Sequence, residues 1–189
     1  MEDYRNDNWD VYAQRIDANG SALWSSDKPV CTVSDTQQYS SAVSLGGNGV
    51  IVVWDDARGD IYGQRVDANG ILQWDTEGVC ISNSSPESNT DKAAIVTDDS
   101  GGAIVSWYQG AGGGYRIDTQ QINASGVLQW GSATTVASQA THPTLENLDV
   151  VSDGEGGAMV AWYDFLNYTD YDVYAQRIDG SGNIQFRGN

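Results

Sequence analysis

The sequence predicts an all-β protein built from repeated antiparallel sheets. Its 189 residues include 22 Gly, 7 Trp and 10 Tyr, but only 2 Phe and 3 Pro. Aromatic residues together with Val and Ile favour strands, and Gly-rich segments favour the tight turns between them. No segment places apolar residues at the 3.6-residue period of an amphipathic helix. Internal repetition is the third observation, and it indicates how the strands are grouped.

One sequence motif occurs four times without gaps, and a second motif occurs three times. The first carries a Gln at residues 14, 64, 120 and 176, so its spacing is 50, 56 and 56 residues. Its four copies are residues 10–20 (DVYAQRIDANG), 60–70 (DIYGQRVDANG), 116–126 (RIDTQQINASG) and 172–182 (DVYAQRIDGSG). The copies of the second motif are residues 42–54 (AVSLGGNGVIVVW), 95–107 (IVTDDSGGAIVSW) and 150–162 (VVSDGEGGAMVAW). Such regular self-similarity indicates a repeat architecture.

Each unit is predicted to contain four short strands, a to d. In the second unit, strand a covers residues 42–45, and a Gly-rich turn leads to strand b at 50–54. Strand c covers 60–67, and a turn ending at Gly70 leads to strand d at 72–74. Gly and Asn in such turns supply the positive φ that tight hairpins require. Strand b is apolar on both faces, as expected for a strand that is covered on both sides.

A long link joins strand d to strand a of the next unit, while most other connections are short. The links carry short β-like pieces at 30–33 and 79–81, interpreted as continuing strand d. A four-stranded antiparallel meander followed by one long link is typical of a β-propeller blade. The predicted organisation is one continuous repeat domain with a half blade at 1–24 (strands c and d) and blades at 41–75, 93–130 and 147–187. This is about three and a half blades, fewer than the four to eight that close a propeller. A β-solenoid is the alternative.

These motifs resemble those of a known group of proteins. The patterns Asp-x-Tyr-Ala-Gln-Arg-x-Asp-x-x-Gly and Gly-Gly-Ala-x-Val-x-Trp resemble the repeats of large secreted or surface-anchored bacterial proteins with predicted β-propellers. The resemblance covers nearly the whole chain. It implies a propeller fold and an extracellular or cell-surface location, and it implies no specific activity. The third unit departs from the pattern, since Arg116, Asp118 and Gln121 replace the usual Asp, Tyr and Arg.

The charge of the chain excludes two classes of partner. Lys and Arg together number 9 against 26 Asp and Glu, which gives a net charge of −17. Nucleic acids and anionic membrane surfaces both require a basic face, so neither is an expected partner. No run approaches 18 apolar residues, so no membrane insertion is expected. The single His, His142, excludes a multi-His metal site and leaves little room for a His-based catalytic triad.

The expected function is that of a non-enzymatic extracellular module that binds protein or glycan, or serves as a scaffold. The first unit contains only strands c and d, and open strand edges tend to pair with other chains. The expected partners are therefore other copies of the chain or additional blades of a parent protein. One alternative is a self-assembling structural subunit of a ring or filament. A second alternative is a fragment of a sialidase-like glycoside hydrolase, because carboxylate pairs are plentiful.

Aromatic residues outside the repeat pattern are the candidate ligand contacts. Such residues near the b–c loops suit binding, because loops carry function and an aromatic ring can stack on a sugar. The candidates are Trp9, Tyr108, Tyr163, Tyr168 and Tyr171. The repeated Trp residues are instead predicted to be packing anchors. The repeated Gln is predicted to hydrogen-bond backbone groups between blades. The repeated Arg alternates with an Asp on the same face and is predicted to form ion pairs between or within blades.

The acidic b–c loops are the candidate metal site. Ca²⁺ takes six to eight oxygen ligands, and clustered carboxylates can supply them. The candidate ligands are Asp55, Asp56, Asp60, Asp164, Asp170 and Asp172. No stretch fits the EF-hand spacing, and the third unit lacks these acids, so solvated turns that keep the surface soluble are the alternative. Calcium is the only cofactor that the sequence suggests, and no catalytic residue is assigned.

Overall fold

The computed structural model describes residues 2–4, 7–83, 90–111, 114–139, 147–164 and 170–185. Throughout these residues the protein is all-β, and its only helical element is a 3-10 turn at Gly46–Asn48. The predicted all-β class is therefore confirmed. In chain order the strands are β1 (Glu2–Asp3), β2 (Asp10–Ala13), β3 (Lys28–Cys31), β4 (Gln37–Ser44), β5 (Val50–Asp56), β6 (Asp60–Val66), β7 (Val79–Cys80), β8 (Thr90–Thr97), β9 (Ala103–Ala111), β10 (Gly114–Ile122), β11 (Thr134–Gln139), β12 (Asp149–Ser152), β13 (Ala158–Asp164) and β14 (Asp172–Ile178).

The strands form four separate antiparallel sheets, and in each sheet the strands that are neighbours in sequence pair with one another. Sheet 1 has the order β1-β2-β3, and sheet 2 has the order β4-β5-β6-β7. Sheet 3 has the order β8-β9-β10-β11, and sheet 4 has the order β12-β13-β14. The predicted antiparallel meander is confirmed in each sheet. The described strands do not close into a ring.

The outer strand of sheet 2 is β7, so the prediction of strand d at 72–74 is wrong. Tyr62 of β6 pairs with Cys80 of β7, whereas Leu72 makes only an isolated bridge. Directly after the turn the chain pairs with β6 only briefly: Leu72 bridges to Val66, and the Gln73 N–H donates to the Arg65 carbonyl at 2.8 Å. Trp74 then turns away to contact the next repeat. The β-like piece in the long link is therefore the true outer strand.

Sheets 1 and 4 each have three described strands, and they represent different parts of the repeat. Sheet 1 corresponds to strands b, c and d. Its strand b is short, since β1 pairs only Glu2 with Val11 and Asp3 with Asp10. The predicted half blade therefore contains a short strand b as well as strands c and d. Sheet 4 corresponds to strands a, b and c.

The sheets pack face to face in chain order, with a hydrophobic cluster in each gap. The face of a sheet that looks toward the next sheet in the chain is here called its forward face, and the opposite face its rear face. In every gap, one strand-c residue on the forward face of the earlier sheet shares a cluster with one strand-c residue on the rear face of the later sheet. In that order, the pairs are Val11 with Val66, Ile61 with Ile122, and Ile117 with Ile178. The inner strands β4, β8 and β12 lie beside one another.

The turn after strand c is held by one side chain in every repeat. Asp67 Oδ1 accepts the backbone N–H of Asn69 and of Ile71, at 2.8 and 2.9 Å. These N–H groups, that of Ile71 above all, hold the pKa of the Asp67 carboxyl below its usual value. Asn123 takes the equivalent place in the third repeat, and its Oδ1 accepts the same two bonds at 2.9 and 3.0 Å. The turn therefore requires a side-chain oxygen that accepts these two hydrogen bonds, and it does not require that oxygen to be charged.

We expect Asp67→Asn to keep the turn and to remove part of its acid sensitivity. A carboxyl whose pKa is lowered by folding stabilises the protein above its unfolded pKa of about 3.9, and this contribution is lost as the pH falls through the folded pKa. The variant should therefore be less stable than the wild type at pH 7, and the difference should shrink below about pH 4. Urea unfolding at both pH values measures this. Asp67→Ala is the comparison, and it should be less stable than Asp67→Asn at every pH, because both hydrogen bonds are lost. A wild-type advantage that stays constant down to pH 3 would contradict the prediction.

Candidate functional site

Adjacent sheets are joined by a tryptophan that reaches from one repeat to the next. In three repeats the indole Nε1 donates a hydrogen bond to a backbone carbonyl in the c–d turn of the following repeat. The donor and acceptor pairs are Trp24 with Ala68 at 3.1 Å, Trp74 with Ala124 at 3.1 Å and Trp130 with Gly180 at 3.2 Å. We call this contact the clasp. The prediction that these Trp residues anchor the packing is confirmed, since Trp74 and Trp130 are buried.

The repeated Gln positions the Trp of its own repeat. Gln64 is fully buried, and its Oε1 accepts the backbone N–H of Trp74 at 2.9 Å. Its Nε2 donates to the carbonyl of Asp75 at 2.6 Å. Gln120 accepts the backbone N–H of Trp130 in the same way and donates to the carbonyl of Trp130 itself, at 3.2 Å each. The prediction that this Gln bonds between repeats is wrong, because strand c and the Trp segment of one repeat lie within its reach.

Two of the repeated Arg residues add to the clasp. Arg15 Nη1 donates to the Ala68 carbonyl at 3.2 Å, and Arg65 Nη1 donates to the Ala124 carbonyl at 3.0 Å. Among the described residues neither Arg forms an ion pair with an Asp or a Glu, so the ion-pair prediction is wrong for both. It is confirmed for Arg177, which pairs with Asp153 and Glu155 of its own sheet.

A glycine in each c–d turn makes room for the Trp ring of the preceding repeat. A Cβ on Gly126 would lie 2.9 Å from Trp74 Cγ, and a Cβ on Gly182 would lie 2.8 Å from Trp130 Cδ2. Gly20 has the same positive φ, +82° against +81° for Gly126, yet nothing lies within 4 Å of its Cβ position. The turn of the first repeat therefore has the shape of a clasp acceptor with no ring seated on it.

We expect Gly126→Ala to destabilise the protein more than Gly20→Ala. Both substitutions carry the same cost of a side chain at positive φ. Only Gly126→Ala also forces the Trp74 ring to move, and overpacking of this kind costs roughly 1–3 kcal/mol. The difference between the two free energies of unfolding, measured in urea, should therefore be about 1–3 kcal/mol. Equal losses in the two variants would show that the ring contact does not contribute.

The rear face of sheet 1 exposes an apolar residue that every other repeat buries. Ile16 is 62% exposed, whereas Val66, Ile122 and Ile178 at the equivalent position are fully buried. Burial of an aliphatic side chain contributes roughly 1.5–3 kcal/mol, so exposing Ile16 forgoes stabilisation that each of its equivalents provides.

The forward face of sheet 4 exposes a larger apolar surface. Val173 is 69% exposed, while Val11, Ile61 and Ile117 at the equivalent position are fully buried. Val151 and Tyr163 lie on the same face and are 54% and 40% exposed. Sequence reasoning did not single out Ile16, Val151 or Val173. The available signal was their position, since they fall in the first and last repeats.

The predicted ligand aromatics are scattered rather than gathered into one site. Tyr108 lies within strand β9 and is buried, so its prediction as a loop aromatic is wrong; the acid-free segment that follows continues the strand instead of looping out. Tyr163 lies in β13 on the forward face of sheet 4. Trp9 makes an edge contact with Tyr4 at 5.3 Å between ring centroids. Tyr171 is exposed, and Tyr168 lies outside the described residues. Their role in binding stays a prediction.

The predicted calcium ligands have protein partners in sheet 2. Asp56 forms a bidentate pair with Arg58, at 2.7 Å for each oxygen, and this pair raises the pKa of Arg58. Asp60 accepts the Ser82 hydroxyl at 2.6 Å, and Asp55 accepts the N–H of Lys92 at 3.2 Å. In sheet 4, Asp164 at the end of β13 is buried, and Asp170 and Asp172 before and at the start of β14 are exposed. Across the described ranges, no three His, Cys, Asp or Glu side chains form a metal-binding group. Calcium binding stays a prediction.

Comparison with known proteins found no family model and no curated protein that matches this chain. No helix in the described part of the chain has the length and apolar character needed to cross a membrane.

Proposed function

We propose that this chain is a non-enzymatic scaffolding module of β-propeller type, which self-associates by placing the forward face of sheet 4 on the rear face of sheet 1 in another copy. The arrangement is head to tail, because the two faces are different surfaces. Such contacts close into a ring or continue into a filament, depending on the rotation between copies.

The observation that carries the proposal is the paired exposure of Ile16 and Val173. Inside the chain, the position of Val173 on one sheet always shares a core cluster with the position of Ile16 on the next sheet. The two end faces therefore present the two halves of a contact that the chain already makes three times. The unoccupied acceptor turn at Gly20 lies on the same side of the stack as Ile16.

A scaffolding role is supported by how the repeated polar residues are used. Gln64, Trp74 and Arg65 all make hydrogen bonds that hold the backbone of one repeat or join it to the next. The residues that recur between repeats thus serve to build the stack. The adjacent inner strands β4, β8 and β12 support a propeller-type arrangement of the sheets.

The proposed setting is extracellular or on a cell surface, following the resemblance of the repeat motifs. A protein or glycan ligand would contact the exposed aromatics, such as Trp9 and Tyr171. The alternative is that a further repeat of a longer polypeptide covers the end faces. In that case the isolated chain should stay monomeric, so its mass in solution distinguishes self-association from this alternative.

We expect Ile16→Asp and Val173→Asp each to block self-association, because each places a charge in an apolar contact. Sedimentation velocity at micromolar concentration should show wild-type chains as oligomers and both variants as monomers. Each variant keeps one intact face, so an equimolar mixture of the two should form a heterodimer and stop there. This mixing result is specific to a head-to-tail contact.

Val127→Asp is the matched control. Val127 is 56% exposed in a c–d turn within the stack, so the substitution adds the same charge without touching either end face. It should leave the oligomer unchanged. A monomeric wild-type chain, or an oligomer that survives both end-face substitutions, would refute self-association through these faces.

A further inference from the structure

The same eight-residue sequence is paired differently at two places in the protein. Residues 10–17 and 172–179 both read DVYAQRID. In sheet 4, all seven residues of β14 pair with β13, from Asp164 opposite Asp172 to Ala158 opposite Ile178. In sheet 1, the strand ends at Ala13, because β1 reaches only Asp10 and Val11. The difference lies in the available partner and not in the sequence of the strand.

Residues 13–16 therefore present a strand edge that no described strand covers on its inner side. Their outer side is occupied, since Ala13 pairs with Lys28 of β3 and the Arg15 carbonyl accepts the Leu23 N–H at 2.8 Å. An open edge of this kind is a template for adding a strand. Arg15 is exposed, whereas its counterpart Arg177 is tied to the a–b turn of its own sheet.

A cleft of about 730 Å³ lies beside this edge. One wall is the edge itself with Trp24, and the other wall is the rear face of sheet 2, where the lining includes Ala42, Val50 and Val52. In the next gap along the stack, the corresponding place is filled by the a–b hairpin of sheet 2, through Ile51 and Val53. The cleft thus lies where an a–b hairpin would pack, and it has an apolar wall for such a hairpin to contact.

Charge complements this fit. In sheet 4, the a–b turn carries Asp153, whose Oδ2 accepts Arg177 Nε at 2.9 Å. Its Oδ1 accepts the N–H groups of Glu155 and Gly157, at 2.8 Å each, and so shapes the turn. A hairpin of this type seated on sheet 1 would bring its turn Asp to Arg15, the equivalent Arg.

We propose that the cleft is the acceptor site for an a–b hairpin of the repeat type, supplied by a second polypeptide that adds its strand b to the open edge at residues 13–16. This inference goes beyond the proposed function, because the end faces can stack without it. Strand addition draws its affinity from main-chain hydrogen bonds and its specificity from alternate side chains. The expected register places residues equivalent to Ala158 and Ala161 opposite Ile16 and Ala13.

The test uses a synthetic peptide of residues 149–161 (DVVSDGEGGAMVA), which pairs with itself as a hairpin in sheet 4. It is titrated by isothermal calorimetry into the full chain carrying Val173→Asp. This background removes the forward-face contact, so peptide binding is measured without stacking. We expect one peptide to bind per chain, and we expect slower amide hydrogen exchange at residues 13–16. The same peptide in scrambled order should not bind.

Arg15→Glu should weaken binding about five- to tenfold, because it places like charges together. The matched control is Arg65→Glu, the same repeat position in sheet 2, where strand β5 already occupies the edge. It should leave the affinity unchanged. In the peptide, Asp153→Asn keeps the turn acceptor and should weaken binding, and this loss should be absent when the chain carries Arg15→Glu.

Three results would overturn the proposal. The first is no binding at millimolar peptide, and the second is equal binding of the scrambled peptide. The third is protection at another sheet edge with residues 13–16 unchanged, which would indicate exchange of a hairpin between repeats. Failure here would not affect the stacking test, because that test measures mass in the absence of peptide.

Discussion

The structure depends on one constraint: each sheet is apolar on both faces, and each face is buried only where a neighbouring sheet packs against it. Ile51 and Ile61 are fully buried on the forward face of sheet 2, and Trp54 and Val66 are fully buried on its rear face. Burial of each such side chain contributes roughly 1.5–3 kcal/mol. The stability of a stacked repeat protein is therefore mostly a sum of nearest-neighbour contacts, and an end face lacks one of them.

The clasp gives this apolar stacking a fixed register. An apolar contact has no direction, whereas the bond from Trp74 Nε1 to the Ala124 carbonyl fixes one repeat against a defined point of the next. Gln64 of the same repeat holds the backbone of Trp74, and Gly126 of the next repeat leaves room for the Trp74 ring. Because the donor and the acceptor belong to successive repeats, the stack has a direction, and its two ends are different surfaces.

The net charge of −17 bears on association through the two end faces. A high net charge keeps chains apart and limits non-specific association. Part of this charge lies in structural turns, as at Asp67 and Asp153, where the carboxylate accepts hydrogen bonds from backbone N–H groups. Other carboxylates are paired with a cation and add nothing to the net charge, as Asp56 is with Arg58. Against this acidic surface, Ile16 and Val173 are exposed apolar residues at repeat positions that are buried in the other sheets.

The sequence by itself determined the all-β class, the approximate bounds of strands b and c, and the chemistry of the turns, because these depend on local periodicity and on Gly and Asp at fixed positions. It misplaced strand d at 72–74, because pairing of β7 with β6 depends on how the chain returns after the turn. It also placed Tyr108 on a loop, although the segment continues strand β9 into the core. The different environments of the identical sequences at residues 10–17 and 172–179 were decided only in three dimensions. Identical strands acquire different neighbours according to their place in the stack, and no local pattern encodes which faces and edges remain open.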